Sequence, residues 1–562
     1  VAAPVALVAL GWALAIEVGA TGPEQAAVAS AHPAATDAGL TALADGGNAF
    51  DAAVAVSAAL AVAEPYGSGL GGGGFFLLQR GGGGDPVMLD ARERAPLAAT
   101  RDMYLNEQGE PRPKASIDGA LAAGIPGLPA ALVHLSEHYG ERSLGDNLAP
   151  AIELARDGVT VDAPYTRRAA FRQPVLMQSF DAAAIFLDEG SVPEPGWRLV
   201  QPDLAATLER LAESGRAGFY DGPVAEALVA GVREAGGIWT REDLRGYTLV
   251  ERAPVTVEYH GHRIVSASPP SSGGVVLGQI LRLIDPWDLA TLEAPQRIHY
   301  LVEAMRRAYR DRAIYLGDPD QVDMPLERLL SPDYAAGWRA SIHPERATAS
   351  ASLPGVHTGR RSGPDTTHFS VLDEAGNRVA ATLSINYPFG SGVVPAGTGV
   401  VLNDEMDDFS LKPGVPNAYG LVGSEANAIA PGKRMLSSMS PTFVESDDGV
   451  AILGTPGGSR IITMVLLGIL NYIEGGDAEA LVSEPRFHHQ YRPDHITAEP
   501  DTLSGETQKA LQAKGHRIEV RSRDYGNMQA ITWDRTTGTV QAASDPRGIG
   551  AARVRDPSAA PP

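Results

Sequence analysis

The chain has 562 residues, 44% of them hydrophobic and 20% charged, a balance typical of soluble globular proteins and enough for roughly three or four domains or one large α/β unit. Its formal net charge of −22 provides no basic field to displace counterions, which argues against nucleic acid and anionic membrane surfaces as partners. The absence of cysteine excludes disulfides, zinc–thiolate sites, iron–sulfur clusters and cysteine nucleophiles.

The opening stretch VAAPVALVALGWALAI is apolar but shorter than the about 20 residues that a membrane span needs. Small residues follow it (Gly19, Ala20, Ala26), as after the apolar core of a secretory signal, although no basic residues precede it. Residues 1–27 are therefore expected to be an export leader, with a periplasmic or secreted location. No other stretch approaches transmembrane length.

Ala49–Ala63 (AFDAAVAVSAALAVA) predicts a buried helix behind the turn Asp45-Gly46-Gly47-Asn48. The glycine-rich run Gly67–Gly74 then enters a strand, FFLLQ. It contains a formal G-x-G-x-x-G, but a dinucleotide fingerprint follows a strand and opens a helix, the reverse of this order. Close backbone packing or a tight turn is the expected role. From Ala130 to about Gly317 the pattern is mostly helical, with three- and four-residue apolar spacing over Leu204–Ser214 and Ile298–Tyr315. Val255–Ser266 alternates as a strand and runs into the turn-rich Pro269–Gly274.

Between Ile342 and Asp365 the composition turns small and polar with Pro and Gly (HPERATASASLPGVHTGRRSGPD), a segment suited to scission. Immediately beyond it Thr366–Leu372 predicts a strand, Asp373–Asn377 a turn and Val379–Ile385 a second strand. A threonine hydroxyl needs a base to take its proton, and its own α-amine can serve once the preceding bond is cut. Such an amine titrates at about 7.7–8.0, suited to accepting a proton near neutrality. The same Oγ can make the cut, by attacking the carbonyl of Asp365 and leaving an ester for water to open. Taken alone, a linker followed by Thr-Thr is far more often an ordinary exposed connection into a strand.

Asp365-Thr366-Thr367-His368-Phe369-Ser370-Val371 resembles the junction of γ-glutamyltranspeptidases, members of the N-terminal nucleophile hydrolases. The similarity continues, in the family's order, through LNDEMDDF (402–409), PGVPN (413–417), LSSMSPT (436–442), PGGSR (456–460) and PRFHHQ (485–490). It also reaches back to Asp90-Ala91-Arg92-Glu93 and the glycine run, covering the chain from about residue 27.

The resemblance implies a four-layer αββα sandwich (α/β) built from a large fragment, 28–365, and a catalytic fragment, 366–562, that stay together as a heterodimer. Thr366 matches the nucleophile, Ser384 an assisting hydroxyl, and Gly457 and Gly458 the backbone donors of an oxyanion hole. Arg92, helped by Ser437 and Ser438, matches the grip on the substrate α-carboxylate. Glu405, Asp408 and Asn386 match the groups that hold its α-ammonium. Leu411–Gly423 is similar to a lid found in some members, with Tyr419 as its gate. Ser384 stands where a threonine often sits, and Glu405 where some members have glutamine.

The implied activity is hydrolysis of γ-glutamyl amides such as glutathione and transfer of the acyl group to amino acids or peptides, without a cofactor. A glutaryl or cephalosporin acylase of the same fold is the alternative, though its substrates would give Glu405 and Asp408 nothing to hold. An unprocessed binding homologue is a third. His368, His488 and His489 are expected to be structural, because adjacent histidines on a strand face opposite ways and no acidic partner has ligand spacing.

Overall fold

The computed structural model describes residues 22–353, 366–412 and 414–555. Most of the proposed leader, the linker from 354 onward with Asp365, and Pro413 lie outside the described residues.

Two antiparallel sheets pack face to face, and helices cover both outer surfaces. The first sheet runs, edge to edge, Ala551–Val554, Ala27–Ser30, Thr367–Leu372, Arg378–Ser384, Gly73–Gln79, Val87–Ala91 and Val250–Arg252. The second runs Val540–Ser544, Gln529–Asp534, Gly449–Gly454, Thr442–Glu445, His262–Ser266 and Val255–Tyr259. Helices Pro33–Ala44 and Ala49–Ala63 lie on the first sheet, and Gly273–Ile284 and Ile461–Ile473 on the second. This is the expected four-layer αββα sandwich. Each sheet mixes strands from before and after Thr366.

The two-sided burial explains the sequence pattern. Along Gly73–Gln79, Phe75 and Leu77 join the core between the sheets, while Phe76 and Leu78 join the core under the helices. Successive side chains point to opposite faces, so a strand buried on both reads as a continuous apolar run. Each such Phe or Leu contributes roughly 1.5–3 kcal/mol by leaving water. Edge strand Val255–Tyr259 keeps one wet face, with Thr256 and Glu258 exposed, and its alternation shows in the sequence. The single strand expected over Val255–Ser266 is instead a hairpin. His260 and Gly261 take left-handed backbone (φ 47° and 78°) and turn the chain between Tyr259 and His262.

Helix Ala49–Ala63 starts where expected, because Asn48 and Asp51 form a capping box. Asp51 lies fully inside and also accepts from the amides of Glu141 and Arg142 and from Asn147 Nδ2, so its charge is satisfied. The turn between the two central strands is tied by Asp373, whose carboxylate accepts from the amides of Ala375 and Asn377 and reaches across to the amide of Ala49. In the glycine run, a side chain at Gly72 would overlap the carbonyl of Ser384, so glycine here lets two backbones meet directly behind the site. No helix among the described residues is long and apolar enough to cross a membrane.

Candidate active site

Thr366 sits just before strand Thr367–Leu372, with 9% of its surface exposed. The antiparallel register that sets Leu383 opposite Thr367 brings Ser384, at the end of the neighbouring strand, beside it. Ser384 Oγ accepts from the amide of Asn386 at 2.8 Å, and Asn386 holds a left-handed turn (φ 74°) by donating Nδ2 to the carbonyl of Asp404 at 2.9 Å. Next to Thr366 in the chain, Thr367 Oγ1 donates to buried Glu64 at 2.8 Å, and Glu64 also accepts from Tyr66 at 3.0 Å. Burial raises the Glu64 carboxyl above its usual range.

Arg92 follows strand Val87–Ala91 and is fully buried. Its Nη1 lies 2.6 Å from Glu405 and 3.3 Å from Glu93, its Nη2 lies 2.5 Å from Asp408, and its Nε donates to the carbonyl of Met435 at 3.3 Å. Burial alone would disfavour the guanidinium charge, but Glu405, then Glu93 and Asp408, hold it firmly protonated. Burial, reinforced by Glu405, raises Glu93 well above its usual range despite Arg92. Asp408, whose side chain keeps 13% exposure, is pushed up to about 7, by burial first and then by the negative charges of Glu405 and Asp407, against the pull of Arg92.

The segment LNDEMDDF is built around this ion cluster. Asn403 ties it down, donating to the carbonyls of Gly71 and Gly124 and accepting from the amides of Gly124 and Glu405. Asp404 accepts from the amide of Tyr387. Asp407 holds the segment around Tyr419, accepting from the amide of Ala418 at 2.7 Å and from Ser116 at 2.6 Å. Asn417 fastens that segment further, donating to Asp408 at 3.1 Å and accepting from the amides of Tyr419 and Leu421. Tyr419 is buried, donates to the carbonyl of Asn386 at 3.0 Å, and packs against Gly458. A side chain at Gly458 would overlap that ring, so glycine suits both the φ of 60° and the close approach of Tyr419.

Gly457 and Gly458 lead through a short 3-10 turn into helix Ile461–Ile473, which places both glycines just ahead of the positive end of a helix. Opposite them, Ser437 and Ser438 are held by the Pro270–Ser272 loop, through Ser437 N to Pro270 O and both Ser272 N and Ser272 Oγ to Ser437 O.

Sequence reasoning missed Arg312. It is buried, donates Nε to Ser272 at 2.8 Å and Nη2 to Ser438 at 3.1 Å, and is pushed down to about 10 by burial. The signal was present, since Arg312 takes the next position on the apolar stripe Ile298, Leu301, Met305, Ala308.

Thr366, Arg92, Ser384, Asn386, Glu405, Asp408, Tyr419, Ser437, Ser438 and Gly458 all line one cavity of about 20 Å³, room for about one water molecule. Gly457 and Thr366 both line a second cavity. A ligand larger than water would fit the first cavity only after Tyr419 and its neighbours move aside.

His368, His488 and His489 are buried and hydrogen-bonded, to Thr382, to Thr463 and Gln490, and to Asp494, and burial pushes all three below the usual histidine range. Among the described residues His299, Glu303 and His516 do come within ligand distance of one another. Glu303 is already paired with Arg306 and Arg307, whose charges make the spot hostile to a cation.

The family model for gamma-glutamyltranspeptidase matches residues 35–554. The chain is similar to the glutathione hydrolase proenzyme of Pseudomonas sp. (strain A14), 46% identical over 88% of this chain and 87% of that protein. It is also similar to the glutathione hydrolase proenzyme of Escherichia coli (strain K12), 42% identical over 94% and 91%. Among solved structures, a cephalosporin acylase from Bacillus halodurans superposes with a TM-score of 0.83 at 27% identity, covering 98% of this chain and 99% of that one.

Proposed function

The chain belongs to the gamma-glutamyltranspeptidase family, and on that premise we propose that it is a proenzyme that cuts itself between Asp365 and Thr366 and then acts as a γ-glutamyl hydrolase and transpeptidase. Thr366 Oγ attacks the carbonyl of Asp365, the acyl group shifts from nitrogen to oxygen, and water opens the ester. The fragments 28–365 and 366–562 remain together as a heterodimer. The freed amine then takes the Oγ proton as Oγ attacks the γ-carbonyl of glutathione or a related amide. The amides of Gly457 and Gly458 meet the oxyanion, where preorganised donors contribute about 3–4 kcal/mol. The leaving amine takes the proton, and the γ-glutamyl ester passes to water or to an amino acid. The apolar stretch at the start of the chain supports an exported, periplasmic or secreted, enzyme.

One observation carries the choice of substrate: the two terminal nitrogens of Arg92 are held by Glu405 and Asp408. A γ-glutamyl group brings its own pair of charges, so its carboxylate can replace the carboxylates on Arg92 while its ammonium takes the carboxylates over. Every buried charge keeps a partner. A glutaryl group offers only the carboxylate and would strand Glu405 and Asp408. Leaving buried charges unpaired costs about 3–5 kcal/mol, and the low end applies because Asp408 can take up a proton. The acylase alternative is therefore the weaker reading. In a paired assay, γ-glutamyl anilide should exceed glutaryl anilide in kcat/KM by at least about a hundredfold. Equal rates would overturn the γ-glutamyl assignment.

The pH dependence should carry the same mark. Only ionised Asp408 attracts an ammonium, and its carboxyl is pushed up to about 7. As pH falls through that value the group is neutralised, on top of protonation of the Thr366 amine at about 7.7–8.0. For the γ-glutamyl anilide, log kcat/KM should fall with a slope approaching two below pH 7, because kcat/KM reports groups of the free enzyme. For the glutaryl anilide the slope should not exceed one.

A further inference from the structure

The second cavity, of about 880 Å³, is lined by Thr366 and Gly457. Six arginines line it against two carboxylates, Glu64 and Asp524, in a chain whose net charge is −22. Arg547 is already neutralised by Glu499 and Asp545, and Arg168 lies over Tyr66 near Glu64. Arg167, Arg460, Arg521 and Arg523 come from three separate parts of the chain, and Asp524 lines the cavity beside Arg523. Arg460 is buried at 5% exposure with its guanidinium 5.0 Å from the ring centre of Tyr525. Burial disfavours its charge, and neighbouring Arg521 repels it further. Like charges confined in a cleft focus a field that an incoming anion relieves.

The γ-glutamyl group occupies the Arg92 side in the reading above, so this cavity receives whatever is bonded to the γ-carbonyl. That is the leaving amine first and the acceptor amine afterwards. We propose that the cavity is an acid-selecting subsite for amines that carry two carboxylates, so that γ-glutamyl peptides with an acidic second residue are the preferred donors and acidic amino acids the preferred acceptors. The proposal rests on Thr366 as nucleophile and changes none of its chemistry. The γ-C–N bond breaks as the Thr366 ester forms, and the departing dicarboxylate amine leaves with the Oγ proton. In transfer, the acceptor amine loses a proton to the Thr366 amine as it displaces the ester, and Oγ regains it.

The test compares kcat/KM for γ-glutamylglutamate and γ-glutamylglutamine, near-isosteric peptides that differ by one charge. The wild type should prefer the acid by about tenfold at low salt and lose most of that preference at 0.5 M salt. An Arg167→Gln/Arg521→Gln variant should bring the ratio near one, and Arg521→Glu should bring it below one. Arg167 is exposed and Arg521 half-buried, so neither change opens the core. Glutamate against glutamine as acceptor, with γ-glutamyl anilide as donor, separates acceptor selection from donor selection. A wild-type ratio near one, or a ratio that the variants leave unchanged, would overturn the subsite while anilide cleavage still upheld Thr366. Loss of every activity in the wild type would instead remove the nucleophile reading, and the subsite with it.

Discussion

Thr366→Ala should run on a denaturing gel as one chain near the full 58.8 kDa, beside a wild type split into pieces of about two-thirds and one-third of that mass. In the proposed mechanism the hydroxyl that makes the cut and the amine that later serves as base belong to the same residue, so the substitution removes both stages together. Activity toward γ-glutamyl anilide should fall by roughly 10⁶-fold, as when a catalytic nucleophile is deleted. Thr366→Ser keeps an Oγ and should still be cut, more slowly, because it lacks the methyl that restricts the side-chain rotamer. An uncut but active wild type would falsify the proposed mechanism. An uncut, inactive one would favour the binding homologue.

The second large effect is at Arg92. Arg92→Lys keeps the charge but loses the fork that meets Glu405 on one nitrogen and Asp408 on the other. An ammonium can face one of them, and it cannot grip a substrate carboxylate through two parallel bonds. Removing one partner from a buried charge cluster costs about 2–5 kcal/mol, so kcat/KM should fall about a thousandfold. The cut before Thr366 needs no grip on a substrate carboxylate, so this variant should still appear as two pieces on the gel. Processing together with lost turnover would separate the binding role of Arg92 from the chemistry at Thr366. A variant that is neither cut nor active would show that Arg92 acts through folding instead.

Much of the site was legible because its residues lie in short, chemically unusual runs, and the structure brings ten of them around one cavity. The adjacency of Thr366 and Ser384 followed from two predicted strands joined by a tight turn. The state of the site was not legible. Arg92 and Glu405 are 313 positions apart, and nothing local shows that the arginine is held by its neighbours' carboxylates. Arg312 escaped because periodicity counts apolar positions, and a buried arginine among them registers as a gap rather than a clue. The hairpin at His260-Gly261 escaped because the alternation of Val255–Tyr259 runs directly into a second apolar stretch, Ile264-Val265, and His-Gly marks a turn less plainly than Asn-Gly. Asp407 is one more acid in an acidic run, yet it anchors the segment around Tyr419 through the amide of Ala418.

Strand Thr367–Leu372 lies between Ala27–Ser30 and Arg378–Ser384, and strand Thr442–Glu445 is zipped to His262–Ser266. Severing the chain ahead of Thr366 therefore creates two new ends but no new surface. Neither piece owns a complete sheet, so each expressed alone should be an insoluble or unfolded half. The matured enzyme should dissociate only by unravelling, and dilution alone should never part its halves.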